Sequence, residues 1–308
     1  MSRFDRAATI LEDYLVLWIV VAVGIGLAFP SFGRLSPLTT PILAVMVGSV
    51  SLTLSPTAFR RVRPRAVGLL LLGQIGMPVA AFAVARALSL PPAVTVGFVV
   101  LGAVTPELVS PVMTELAGGN TALSTVVLVL VGLGSISLVP LAVTVLLGAT
   151  VPFDPVGVVR TLLLAVILPM AVAVGLRARF PDRVGRYDRY YPSVSALMVV
   201  FVIGIVTAAN AGLVRGGSRG TLLVVLVGAA VLNGVGYALG WLLGRPLTPD
   251  ERVTALFSVG MRDFAVAAGV VVAAGFPPPA ALPAVAFGLV EMVSSAALAR
   301  HLSRHRRA

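Results

Sequence analysis

Thr105-Pro106-Glu107-Leu108-Val109-Ser110-Pro111 stands in the middle of an otherwise apolar run, 92–117, and decides how the chain folds. A run of that length and apolarity spells a membrane-crossing helix. Two prolines five residues apart forbid a continuous one, because each removes a backbone donor and its ring clashes with the preceding turn. Backbone freed in this way at membrane depth is tolerated only where it is buried in protein or lines a wet cavity. A second interruption, Ser258-Val259-Gly260-Met261-Arg262-Asp263, also lies among apolar residues. Charged breaks in two corresponding segments point to the binding site of a transporter.

The composition outward from these breaks agrees. Of 308 residues, 58% are hydrophobic and 11% charged, where soluble domains have about 45–50% and about 25%. So few charges cannot cover a water-facing surface. Ten apolar segments follow one another: 13–29, 37–55, 65–87, 92–117, 120–148, 156–177, 190–212, 219–243, 251–274 and 279–300. The expected fold is an all-α polytopic membrane protein with ten transmembrane helices. The first segment follows Glu12 and Asp13, lacks a small-residue cleavage site and is long enough to span, so it reads as a helix and not as a cleaved leader.

Ten segments divide near Pro152–Pro155 into residues 1–150 and 151–308, five in each. An odd number per half gives the halves opposite topology, so the chain reads as two inverted five-helix repeats forming one transmembrane domain. The net charge of +11 comes from 23 basic residues, all arginine. Seventeen of them, including Arg3, Arg6, Arg60, Arg61, Arg63, Arg65, Arg306 and Arg307, fall on one side of the ten segments and five on the other. That asymmetry is a topology signal and not a nucleic-acid surface; it places both termini in the cytoplasm and the chain in the inner membrane. The expected partners are therefore the lipid bilayer and a small solute. There is no cysteine, and the two histidines, His301 and His305, lie in the basic tail. Disulfides, thiolate metal sites and a histidine metal site within the membrane are excluded, and no nucleophile–base constellation of an enzyme is present.

Four ionisable residues lie well inside the segments: Glu107, Arg262, Asp263 and Glu291. A charge at the bilayer centre costs about 2.5–3.5 kcal/mol on insertion scales, so such residues face the protein interior and pair. If the two broken helices cross, Glu107 and Arg262 meet in an ion pair. Asp263 is then a second partner for Arg262 or a proton carrier, and Glu291 a buried protonated acid. Gln74 is an uncharged polar residue at membrane depth, suited to an ion or to a neighbouring backbone. In Gly118-Gly119-Asn120-Thr121, Asn120 or Thr121 caps the helix that follows.

Val112-Met113-Thr114-Glu115-Leu116-Ala117-Gly118-Gly119-Asn120-Thr121-Ala122-Leu123-Ser124 resembles the most recognisable stretch of the bile acid:sodium symporter family, as do Pro91-Pro92-Ala93-Val94-Thr95-Val96-Gly97 and Gly260-Met261-Arg262-Asp263. The resemblance runs over essentially the whole chain. It implies a panel of spans 1, 2, 6 and 7, and a core of spans 3, 4, 5, 8, 9 and 10 in which broken spans 4 and 9 cross. It implies a small organic anion (a bile acid, a pantoate-like acid or a sulfated steroid) moved by alternating access, generally with sodium. Substrate binding and coupling then fall on Glu107, Ser110, Pro111, Thr114, Ser258, Arg262, Asp263 and Glu291.

The departures from the family are specific. At the first sodium site Ser110 and Ser124 keep hydroxyls, but Pro111 replaces an asparagine, Leu128 a threonine and Ser258 the glutamate shared by both sites. At the second, Gln74 is kept, Arg262 replaces a glutamine and Asp263 the asparagine after it. Gln74, Ser110, Ser124 and Glu107 remain as candidate ion ligands, but a guanidinium repels sodium. Ordinary two-sodium coupling is therefore not expected. Arg262 takes the electrostatic part of a bound sodium ion, balanced by Glu107 and Asp263, in a proton-coupled carrier or a uniporter. No other cofactor is implied. The alternatives are a sodium-coupled organic anion symporter, a crossed-helix proton antiporter and a non-transporting membrane sensor.

Overall fold

The computed structural model describes residues 10–11, 14–54, 58, 62–148, 153–216 and 219–305. Among these the chain is helical, with no strand. The principal helices are α1 (Leu15–Ala28), α2 (Thr39–Ser51), α3 (Pro64–Ala87), α4 (Pro92–Ala103), α5 (Ser110–Leu116) and α6 (Thr121–Leu147). They continue with α7 (Pro155–Arg179), α8 (Tyr191–Ala209), α9 (Arg219–Leu243), α10 (Pro249–Gly260), α11 (Phe264–Ala273) and α12 (Leu282–His305). Arg3, Arg6, Arg60, Arg61, Arg306 and Arg307 lie outside the described residues, as do Glu12, Asp13 and Pro152.

Proline sets most of the boundaries. It opens α3, α4, α7 and α10, where its missing N–H is no loss and its fixed φ suits the first helical position. Pro30 does the opposite at the end of α1. Phe29 is held at φ −122° and ψ 76°, a 3₁₀ turn Pro30–Leu38 follows, and the α1 and α2 limbs meet at 112°. Seven helices among the described residues are long and apolar enough to cross a membrane, or eight if the bent α1–α2 pair is one span. The chain is thus a multi-pass membrane protein. The expected ten spans exceed this number because α1 and α2 have only 14 and 13 residues, and α4 stops at the break.

The helices pack in two groups. α8 lies against α1 and α2, and α2 against α7. In the other group α3 packs on α4 and α6, while α9 packs on α10, α12 and α3. α11 touches α2 and α8 and so joins the groups. The segment 249–273 is the most enclosed of the crossing helices. Close approach is built from small residues, as between membrane helices generally. A Cβ on Gly97 would overlap the carbonyl oxygen of Ala280, and one on Gly240 that of Ala255.

The turn between α5 and α6 follows its sequence. Gly118 adopts φ 74°, a left-handed conformation that favours glycine. The Asn120 side chain accepts a hydrogen bond from the Leu123 N–H at 3.0 Å, capping α6, and the Asn120 N–H donates to Thr254 Oγ1 at 2.8 Å on α10. Asn120→Ala keeps the second bond and loses the cap. It is expected to lower stability by about 1 kcal/mol, read as a fall in the melting temperature of the detergent-solubilised protein. An unchanged melting temperature would show that the cap contributes nothing.

Candidate functional site

Both charged sequences break their helices. α4 stops at Ala103, Val104 turns extended (φ −72°, ψ 172°) and helix resumes only at Ser110. α10 stops at Gly260, Met261 is extended (φ −88°, ψ 136°) and α11 begins at Phe264. The two breaks touch. The Asp263 N–H donates to the Thr105 carbonyl at 3.1 Å, and Arg262 Nη1 donates to the Val104 carbonyl at 3.0 Å. Carbonyls released at the end of α4 are thus met by donors from the other break.

The end of α10 is satisfied by two amides from neighbouring helices. Gln74 Nε2 on α3 donates to the Ser258 carbonyl at 2.7 Å, and Asn233 Nδ2 on α9 donates to the Gly260 carbonyl at 3.2 Å. Gln74 is therefore brought to the site and bonds backbone through its amide nitrogen, while its Oε1 is buried without a partner. Asn233 escaped the sequence reading. Its signal was the same as that of Gln74, a lone amide in the middle of an apolar segment. Ser294 Oγ on α12 holds the Asn233 Oδ1 at 2.7 Å, which fixes the amide.

Glu107, Arg262, Asp263 and Glu291 are all buried, but not in the arrangement expected from sequence. The predicted Glu107–Arg262 ion pair is absent: among the described residues the ion pairs are Arg63–Glu251 and Arg177–Asp188. The Glu107 carboxylate instead faces the N–H groups of Leu108 and Phe264, the latter the first residue of α11. Asp263 does not pair with Arg262 either. Its Oδ1 accepts from the Val266 N–H at 2.8 Å and caps α11. Glu291 Oε2 accepts from the Arg262 backbone N–H at 2.9 Å. The physical reason is common to all three: at a helix break, unpaired backbone groups compete with side chains for every ionic partner.

Ser258 Oγ donates to Ser124 Oγ at 3.3 Å, while the hydroxyls of Ser110 and Thr114, also buried, have no partner. Pro111 is buried beside them in the first turn of α5. Unpartnered too are Arg262 Nε and Nη2, and one oxygen each of Glu107, Asp263 and Glu291. A void of about 10 Å³, lined by Thr105, Leu108, Leu128, Val47, Val166 and Met170, lies between the first break and helices α2 and α7. It has room for about one water. A larger cavity of about 210 Å³, lined by Val23, Thr207, Asn210, Leu226 and Val285, lies between α1, α8, α9 and α12, away from the crossing. At one end of the bundle, Arg63 Nε donates to Glu251 Oε1 at 2.8 Å, which raises the guanidinium pKa above its ordinary value.

The profile of the sodium bile acid symporter family matches residues 40–216. The "Uncharacterized sodium-dependent transporter YocS" of Bacillus subtilis is 31% identical over 94% of this chain and 90% of its own. The chain belongs to the sodium bile acid symporter family. It is a membrane transporter of that family and not an enzyme. A more distant relative, the "Probable sodium/metabolite cotransporter BASS1, chloroplastic" of Arabidopsis thaliana, is 26% identical over 80% of this chain. The chain spans 62% of the length of that plant protein. In this chain a guanidinium is buried where the two broken helices touch.

Proposed function

We propose that this protein carries a small organic anion across the inner membrane by alternating access, without ordinary two-sodium coupling. The carrying observation is the fully buried Arg262, whose Nε and Nη2 have no partner although both breaks surround it. A fixed charge with two free donors suits a carboxylate or sulfate. The hydroxyls of Ser110 and Thr114 on α5, past the first break, are also buried and unpartnered and add polar groups for the same anion.

The residues at the family's sodium positions suit sodium poorly. Sodium wants several oxygen ligands, yet Ser124 and Ser258 are bonded to each other and Leu128 and Pro111 offer none. Gln74 spends its amide nitrogen on the carbonyl of Ser258, and the guanidinium of Arg262, four residues on, brings a positive charge to the crossing. In this reading Arg262 stands in for the bound ion.

The architecture that goes with this function is ten spans in two inverted repeats, residues 1–150 and 151–308, with cytoplasmic termini. The packing supports it by its internal symmetry. α4 lies against α12 while its counterpart α10 lies against α6, and α3–α4 is matched by α9–α10. α1, α2, α7 and α8 form the panel, and the remaining helices form the core that moves against it.

Melting temperature in detergent, with sodium titrated against choline at constant ionic strength, tests the coupling. A ligand that binds only the folded state stabilises it as ln(1 + [L]/Kd), and no sodium-specific rise is expected. A specific rise would return the protein to the sodium symporters, the reading favoured by its relatives' names. Counterflow in proteoliposomes with a panel of short hydroxy acids, steroid acids and aryl sulfates tests the carrier itself. Exchange of at least one anion is expected; none would favour a non-transporting sensor.

A further inference from the structure

We propose that Glu107 and Asp263 form a single proton-binding site at the N-terminus of α11, and that the anion is carried together with that proton. The second half of this statement rests on the carrier reading above; the first does not.

The two carboxyls come from different halves of the chain and converge on one helix end. Asp263 takes the N–H of Val266 and faces that of Ala265, and Glu107 faces that of Phe264. α11 has ten residues, enough for its terminus to present about half a positive charge. The other oxygens, Glu107 Oε2 and Asp263 Oδ2, are buried and unpartnered. One carboxylate is matched by the helix end and its N–H groups. Two would leave a large uncompensated negative charge in the membrane interior, and like charges at one site do not both ionise.

No neighbouring cation alters this count. Arg262 spends Nη1 on the Val104 carbonyl, and the acid whose charge acts on it is Glu291, which also accepts its backbone N–H. Glu291 acts on Glu107 and Asp263 as well as on Arg262, so it adds negative charge beside the pair and does not relieve it. Tyr237 on α9, bonded to Ser294, is the remaining titratable group near Glu291. Helices α2, α4 and α6, which pack around the crossing, carry no ionisable residue. The ionisable residue of α8 is Tyr191, whose hydroxyl donates to the Val184 carbonyl at the far end. Nor is this a metal cage: among the described residues no three acids converge on a point.

The proton is taken from water on one side as an O–H bond forms on a carboxylate oxygen, and is released to water on the other as that bond breaks. An anion arriving beside Arg262 is repelled by a doubly charged pair and accepted by a singly charged one. Proton and anion therefore bind together.

Infrared spectroscopy of the carboxyl C=O stretch, on the full chain in lipid nanodiscs titrated with pH, reads the site without a substrate. Wild type is expected to show a protonated buried carboxyl at neutral pH. Glu107→Gln and Asp263→Asn should each lose the band, because the remaining acid has the helix end to itself. Glu291→Gln should keep it. Absence of the band in wild type, its survival in either of the first two variants, or its loss only with Glu291→Gln overturns the shared site. Circular dichroism checks that each variant folds, and the wild-type titration alone still decides if one does not. For any anion that exchanges in the counterflow panel, pyranine trapped in the liposomes should report acidification as the anion enters. Anion entry without acidification overturns the coupling, whereas no entry at all counts against the carrier and leaves the proton site standing.

Discussion

Arg262→Gln is expected to convert a sodium-indifferent protein into a sodium-responsive one, or to abolish transport. The substitution removes the bond to the Val104 carbonyl and the one positive charge at the crossing. It also adds an amide oxygen to the break whose Ser258 carbonyl is held by Gln74, so the local charge turns in favour of a cation. In the melting experiment wild type should not distinguish sodium from choline. The variant should gain a sodium-specific rise, worth about 2.7 kcal/mol when sodium is at a hundred times its Kd. In proteoliposomes, anion exchange by the variant should vanish without sodium. Should the variant transport and melt as wild type does, with no effect of sodium, the built-in charge has no role in coupling.

Gly97→Ala is expected to be the most damaging single methyl. Gly97 on α4 faces the backbone of Ala280, in the turn that leads into α12, and a Cβ there overlaps a carbonyl oxygen. A backbone atom cannot rotate away as a side chain can. The helix must back off, at a cost of roughly 3 kcal/mol, the upper part of the range for overpacked cores. Gly134→Ala on α6 is the control, since nothing stands within 4 Å of its Cβ. It should be neutral or gain up to about 1 kcal/mol of helix propensity. Thermal unfolding in detergent compares the two. Equal stability of the Gly97 variant and wild type would mean that α4 and the Ala280 turn do not pack this closely.

The proline-broken fourth apolar segment, the charged break in the ninth and the cap at Asn120 were legible in the chain. Each is a local consequence of residue type: proline without its donor, an amide within reach of a free N–H, a charge among aliphatic residues. The bend after α1 was less so. The two apolar segments flanking it read as ordinary spans, yet Pro30 and the following 3₁₀ turn shorten both and set them at 112°. Asn233 carried the same signal as Gln74, but a lone amide in an apolar segment names no partner.

What the sequence by itself determined is which residues are expensive in a membrane and where the helix must break. Those follow from hydration and from proline geometry, which travel with the residue. What the tertiary structure decided is who pairs with whom. Glu107 and Arg262 have opposite charge, and the sequence placed both at the breaks, but the carboxylate went to the N–H of Phe264 and the guanidinium to the carbonyl of Val104. Every residue but proline carries a backbone donor, and every residue an acceptor, so the sequence cannot mark the few left free when two broken helices meet. Only the fold brings those groups within 3 Å or so of a side chain, and at that distance in a dry interior they outbid a more distant opposite charge.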